Sequence, residues 1–257
     1  MMLRDVGSSA RLVFWGTLGL VMLVGATGAR PPRAGPTPVR VLEPPVVLAR
    51  YAAALDKLAR PHAMSFEYVV EQLGLRTIEQ RHRVYRLGLD ERDETLIVDG
   101  YALSRPAVRI IRYRTYRYDI GQVAPRPVAY AFAFVGNVRA GNHMLYVFRT
   151  VPRSARSFVV GEVAIDGSSF LPTVIRFKIA GGGARGRGEL AYGKSESFWV
   201  VQTARVSARL PNGSPARETI TWLNYRFPQA LPPSTFQMPK PTATEMPVET
   251  PIDTPAS

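Results

Sequence analysis

The stretch Arg109 to Tyr118, RIIRYRTYRY, sets Arg109, Arg112, Arg114 and Arg117 among Tyr113, Tyr116 and Tyr118. Cations interleaved with rings can hold single-stranded nucleic acid by charge and stacking. They can equally grip lipid phosphates, because a guanidinium engages phosphate through two parallel hydrogen bonds. A third arrangement needs no ligand: a strand with Arg on its wet face and Tyr rings packed beneath the Arg stems. Other chemistry-bearing groups are sparse. Gly181, Gly183 and Gly186 satisfy G-x-G-x-x-G, but a dinucleotide site needs a helix after the loop. Here a strand pattern follows, and Val206 stands where an acid belongs. His62, His82 and His143 are far apart, lack metal-like spacing and read as surface or turn histidines. Ser154, Ser157 and Ser195 sit in no nucleophile elbow. Glu67 with Glu71, and Glu91 with Asp93 and Glu94, lie among arginines and read as solvated charge or salt bridges rather than acid–base pairs. The chain has no cysteine, which excludes disulfides, Cys-ligated zinc, iron–sulfur clusters, thiol catalysis and lipid attachment through a processed Cys. The reading is of a protein without catalysis, metal or cofactor.

The elements that carry these residues follow from periodicity. Leu48, Tyr51, Ala52, Leu55, Leu58 and Ala59 recur at steps of three and four, which predicts one amphipathic helix ended by Pro61. Strand patterns follow over 66–75, 78–89, 95–103, 108–118, 143–150, 157–166, 173–180, 188–192, 198–210 and 218–227; the segment 127–138 fits helix or strand. Asp90-Glu91-Arg92-Asp93, Asp99-Gly100 and Pro211-Asn212-Gly213 carry turn composition. Thr173, Ile175, Phe177 and Ile179 alternate with Val174, Arg176 and Lys178. Val159, Val163 and Ile165 oppose Glu162, Ala164 and Asp166, and Met144, Tyr146 and Phe148 oppose Leu145, Val147 and Arg149. One wet face and one apolar face predict a mainly β fold: a large antiparallel curved sheet, an open or incomplete barrel of about 10–11 strands, covered by the N-terminal helix.

The flanks differ in composition. Residues 1–28 read as a signal peptide or N-terminal membrane anchor, with Arg4 and Arg11 before the uncharged run Leu12 to Thr27 and small residues at Ala26 to Gly28. Residues 29–45 read as a Pro-rich linker and 232–257 as a disordered Pro/Thr-rich tail, leaving 46–231 as the folded domain. The chain's formal charge is +13, from 33 Lys+Arg against 20 Asp+Glu. The tail is acidic, so the excess belongs to the folded part. Export to a periplasmic or extracytoplasmic, membrane-associated location counts against nucleic acid as the partner of the Arg109 to Arg117 stripe. An anionic lipid or membrane surface then becomes its natural partner.

The order of features resembles a known superfamily. Leu48 to Phe66 (LARYAAALDKLARPHAMSF) looks like the opening helix and first strand of the periplasmic outer-membrane lipoprotein-sorting, or lipoprotein-carrier, proteins. Ile97-Val98-Asp99-Gly100 resembles a strand of that family ending in Asp-Gly. Gly161 to Asp166 and Phe170 to Ile175 resemble its strand pair joined by an Asp and small-residue turn with Leu-Pro. The resemblance spans roughly residues 46–231. It implies an open β-barrel closed by helices around an apolar cavity that holds acyl chains. Arg105-Pro106 and an Arg/Tyr-rich strand replace the aromatic segment that family carries after Asp-Gly.

The resemblance and the alternation together give an expected function: an exported, monomeric carrier or sensor that holds an acyl lipid or a lipidated protein in an apolar cavity. The expected cavity residues are Tyr146, Phe148, Ile175 and Phe177 on the sheet with Leu48, Tyr51 and Leu55 on the helix. The alternative is a non-catalytic envelope scaffold or interaction module whose core is fully packed.

Overall fold

A computed structural model of the chain describes residues 41–74, 77–113, 118–181, 184–210 and 212–239. The expected targeting segment, most of the linker and tail, and Arg114 and Arg117 lie outside the described residues. The chain runs α1 (Pro44–Asp56), β1 (Ala63–Leu73), β2 (Thr77–Leu87), β3 (Asp90–Val98) and β4 (Tyr101–Ile111). It continues through a single helical turn, α2 (Ile120–Val123), to β5 (Tyr130–Ala140), β6 (His143–Pro152), β7 (Phe158–Asp166) and β8 (Pro172–Gly181). Three long strands close it: β9 (Ala184–Ser195), β10 (Phe198–Arg209) and β11 (Pro215–Arg226).

All eleven strands join one antiparallel sheet in the order β4-β3-β2-β1-β11-β10-β9-β8-β7-β6-β5. Two meanders are thus fused where β1 pairs with β11. Because β4 and β5 are the two edges, the sheet is an open curved barrel rather than a closed one. Of the segment 127–138, which fitted helix or strand, residues 130–138 belong to edge strand β5 and 127–129 form the turn before it. Pro106 sits inside β4, where an edge strand tolerates a missing amide. Between the pairs Thr95↔Ala107 and Ile97↔Ala102 the register slips, and Pro106 lies within that irregular stretch.

The helix begins earlier than the stripe of apolar residues implied. Pro44 and Pro45 occupy its first turn, where proline costs no intrahelical hydrogen bond. Val47 thereby joins Tyr51 and Leu55 on the buried face. Asp90 to Asp93 is not a turn. The chain reverses at Gly88 and Leu89, Gly88 has a positive φ of 56°, and the acidic run opens β3. The alternation of β6 and β8 holds: Tyr146, Phe148, Ile175 and Phe177 all point to the helix-bearing face and are buried. In β7 a register shift between Val160 and Glu162 reverses the parity. Val160 is fully buried and Val159 is not, contrary to the simple alternation.

Two turns show why their composition mattered. The Asp166 carboxylate accepts hydrogen bonds from the backbone N–H and hydroxyl groups of Ser168 and Ser169. Burial alone would raise that carboxyl, and these four donors outweigh it and hold it below the usual range. At the other hairpin the Gly213 amide donates to Leu210 and the Leu210 amide to Ser214.

Gly188 illustrates how closely the sheet is packed. It pairs with Phe177 on β8 and Val206 on β10. A Cβ there would collide with the Phe177 ring and stand 2.6 Å from the Arg205 carbonyl oxygen. The ring takes the place of the missing side chain, as aromatic residues do over strand glycines. Gly188→Ala should therefore cost about 2 kcal/mol, as overpacking does. The thermal midpoint should fall by about 6 °C for a domain of this size, measurable by circular dichroism. An unchanged midpoint would show that the ring can move aside freely.

Candidate functional site

The helix-bearing face divides into a filled half and an unfilled half. Under α1 the side chains of β5 to β10 meet Val47, Tyr51 and Leu55 in one cluster with Tyr130, Val163, Ile165, Leu190, Tyr192 and Val201. Tyr51 is fully buried, donates its hydroxyl to the Pro125 carbonyl at 2.8 Å, and meets Phe132 edge to face. Burial pushes its phenol well above the ordinary range, slightly offset by Arg126. The seven cavity residues expected from the sequence are all brought together here. Tyr51, Leu55, Tyr146, Phe148, Ile175 and Phe177 are buried, and Leu48 is half-buried against them.

Beyond the C-terminal end of α1 the packing is incomplete. A cavity of about 230 Å³ lies over β1, β2, β3 and β11, walled by Phe66, Tyr68, Val84, Tyr118, Ile220 and Trp222. A second, of about 420 Å³, shares Tyr118 with it and is walled by Leu58, Met64, Ile120, Trp199 and Val201 among others. Tyr118 stands between them, packed edge to face on Trp222. Sequence alternation had pointed to the filled half. It missed these residues because they are spread over β1, β2 and β11, and β2, which contributes Val84, reads as polar.

β2 places Arg81 and Arg83 on the far face, where both bond Glu67. It places His82, Val84 and Arg86 on the helix-bearing face. His82 is therefore buried, contrary to the surface position its Arg neighbours implied. That strict alternation was the signal available. The ring stacks on Tyr68 with centroids 4.5 Å apart and planes 3° apart. Its Nδ1 lies 2.9 Å from Asp93 Oδ1, and Nε2 lies 3.2 Å from the Gln80 amide oxygen. The Tyr68 hydroxyl donates to Asp93 Oδ2 at 3.0 Å. Burial alone would raise the Asp93 carboxyl; His82, Tyr68 and Arg109 together outweigh it and keep it below the ordinary carboxylate range. An ionised carboxylate only accepts, so Nδ1 carries a proton toward it. Nδ1 of His82 is thus taken up by Asp93, and Nε2 faces the Gln80 side-chain amide. Next to this array Arg86 and Glu91 form a second buried pair at 3.2 Å. Of the acids read as solvated charge or salt bridges, Glu91, Asp93 and Glu94 are buried and paired, Glu67 bonds Arg81 and Arg83 on the far face, and Glu71 is exposed. Among the described residues no group of three His, Asp or Glu converges as a metal site.

Of the Arg109 to Arg117 stripe, two members are described. Arg109 reaches Asp93 Oδ2 at 3.4 Å. Arg112 pairs with Asp90 and donates to the Phe236 carbonyl at 3.0 Å. Arg92 donates to the carbonyls of Thr235 and Gln237. These bonds hold a 3-10 turn, Pro233–Phe236, with the Phe236 ring buried. The stretch 232–239 is thus tied to the β3–β4 edge, within what composition assigned to the tail.

Fold and site together define a class: an open antiparallel half-barrel, filled on one face by a single helix and left partly unfilled beyond it. No family model matches the chain, and no curated protein does. Solved structures similar to it include a LolA superfamily protein of Nitrosomonas europaea, 12% identical over 77% of this chain and 99% of that one, with a TM-score of 0.42. A DUF1329 family protein of Desulfovibrio piger is 13% identical over 74% of this chain and 97% of that one, with a TM-score of 0.42. An outer-membrane lipoprotein-sorting protein domain of Vibrio parahaemolyticus is 12% identical over 74% of this chain and 95% of that one, with a TM-score of 0.41.

Proposed function

We propose that this chain is an exported, non-catalytic carrier or sensor that holds the acyl chain of a lipid or lipidated protein on the helix-bearing face. One observation carries the reading: beyond α1 that face is left unfilled and walled mainly by rings and aliphatic side chains. Transfer of an acyl chain into such space is favourable by about 0.8 kcal/mol per buried CH₂. The polar edge of the smaller cavity, Gln72, Gln80, His82 and Glu218, suits a head group left near solvent. In this reading the seven residues expected to line the cavity belong to the packed half beneath α1, line neither of the two cavities, and reach a ligand only when α1 lifts from the sheet.

The filled half under α1 favours the scaffold alternative, and the two readings part on one measurement. Native mass spectrometry of the purified full chain should show co-purified acyl lipid. Val70, half-buried at the smaller cavity, provides the control. Val70→Trp should lower affinity for a fluorescent long-chain fatty acid about tenfold or more, by displacing roughly two buried CH₂ groups. Empty spectra together with equal fatty-acid titrations for both proteins would leave the scaffold reading standing.

A further inference from the structure

The far face of the sheet, opposite α1, carries an internal comparison of its own. One cross-strand row runs Arg149↔Glu162↔Arg176↔Glu189↔Arg205. Its signs alternate, and Arg176 bonds both Glu162 and Glu189. This is how a sheet arranges charge for its own stability. The next row toward the hairpin loops runs Lys178↔Arg187↔Ser207↔Arg217, and the row beyond sets Arg185 opposite Arg209. All five cations are exposed. None forms an ion pair among the described residues, whereas Arg176, in the row beside them, forms two. Like charges directly opposite one another are unfavourable. An alternating pattern was available one row away, so the fold tolerates this cost for an anion that it does not itself supply.

The surroundings narrow the anion's chemistry. These rows border a groove of about 900 Å³ whose walls include Leu73, Val151, Pro152 and Val159 beside the cations. Leu73, Val151 and Leu210 expose large aliphatic side chains at the same end of the sheet. Phe177, the one aromatic residue among the described residues of the groove, is buried, so among them no exposed ring offers a base-stacking platform. Cations with aliphatic tips beside them match the boundary between phosphate head groups and acyl chains.

We propose that this hairpin end of the far face is the surface by which the protein docks on an anionic lipid bilayer, with Lys178, Arg185, Arg187, Arg209 and Arg217 against the head-group phosphates. It is independent of the acyl cavity, which opens on the other face. The docking surface holds the protein at a membrane and leaves the helix-bearing face free.

Co-sedimentation of the full chain with vesicles tests this. Phosphatidylcholine vesicles give the baseline contributed by every uncharged segment, and the same vesicles with added phosphatidylglycerol should bind more tightly. Arg187→Gln/Arg217→Gln should weaken binding to the anionic vesicles about 30-fold, at about 1 kcal/mol per cation removed, while the thermal midpoint holds or rises slightly as the repulsion with Lys178 is relieved. Arg176→Gln/Arg205→Gln, in the balanced row, should weaken it far less. Raising the salt should erase the preference as the charges become screened. Equal loss in the two double variants, or no preference for anionic vesicles, would overturn the proposal. So would tighter binding of a single-stranded oligonucleotide or an acidic polypeptide than of vesicles at the same salt.

Discussion

Replacing Tyr51 with alanine should lower the midpoint of thermal unfolding by about 12 °C. Three interactions end at this side chain. It is fully buried, it packs edge to face on Phe132 with centroids 6.0 Å apart, and its hydroxyl satisfies the Pro125 carbonyl. Removing a large core ring costs about 4 kcal/mol through lost burial and the cavity left behind, and a domain of this size loses about 3 °C per kcal/mol. Tyr51→Phe separates the terms. It keeps the ring and strands only the carbonyl, so it should cost about 1 kcal/mol. Differential scanning calorimetry of both variants gives the comparison. Equal losses would mean that the hydroxyl, not the ring, holds α1 on the sheet. The alanine variant also bears on ligand access. Tyr51 lies at the middle of the buried helical stripe, and weakening it exposes the core residues packed with it, Tyr146, Phe148 and Ile175. Fatty-acid uptake by the folded variant should rise if helix displacement gates that half.

Strand identity and facing were legible where polar and apolar residues alternate without interruption. From Thr173 to Ile179 the odd positions read as inward, and Ile175 and Phe177 are buried. The same logic failed at Val159, because one irregular step near Gly161 exchanges the faces, and a bulge leaves little trace in composition. The acidic run Asp90 to Asp93 has turn composition, yet its fate is decided by what lies opposite. Register sets Asp93 across from Val84 and Glu91 across from Arg86, and that pairing is not visible in either segment alone. His82 shows the reverse case: the information was local, in the strict alternation of β2, but two flanking arginines masked it. The open space beyond α1 depends on where the helix stops relative to the sheet, a distance that no periodicity encodes.

The largest effect at the candidate site is expected from Asp93→Ala, at about 3 kcal/mol, or a midpoint lower by about 9 °C. The Asp93 carboxylate accepts from the Tyr68 hydroxyl and from His82 Nδ1, and Arg109 approaches it at 3.4 Å. Alanine leaves the buried His82 ring and the Tyr68 hydroxyl without their acceptor, and unsatisfied buried polar groups are costly. Asp93→Asn keeps one acceptor oxygen without the charge and should fall between alanine and wild type. The pH dependence identifies the cause. The folded protein holds this carboxyl below its ordinary value, so the unfolded chain takes up the proton first as pH falls. Its contribution is therefore fully present above about pH 4, the usual aspartate value, and drains away as pH drops through the lower folded value. Denaturant melts of wild type and Asp93→Ala should differ most near neutral pH and converge in acid. A gap that stays constant down to acid pH would show that Asp93 acts through packing alone. Tyr68 and His82 also wall the smaller cavity. The same substitution should thus loosen the cavity's polar edge, and its effect on fatty-acid affinity should follow the same acid dependence.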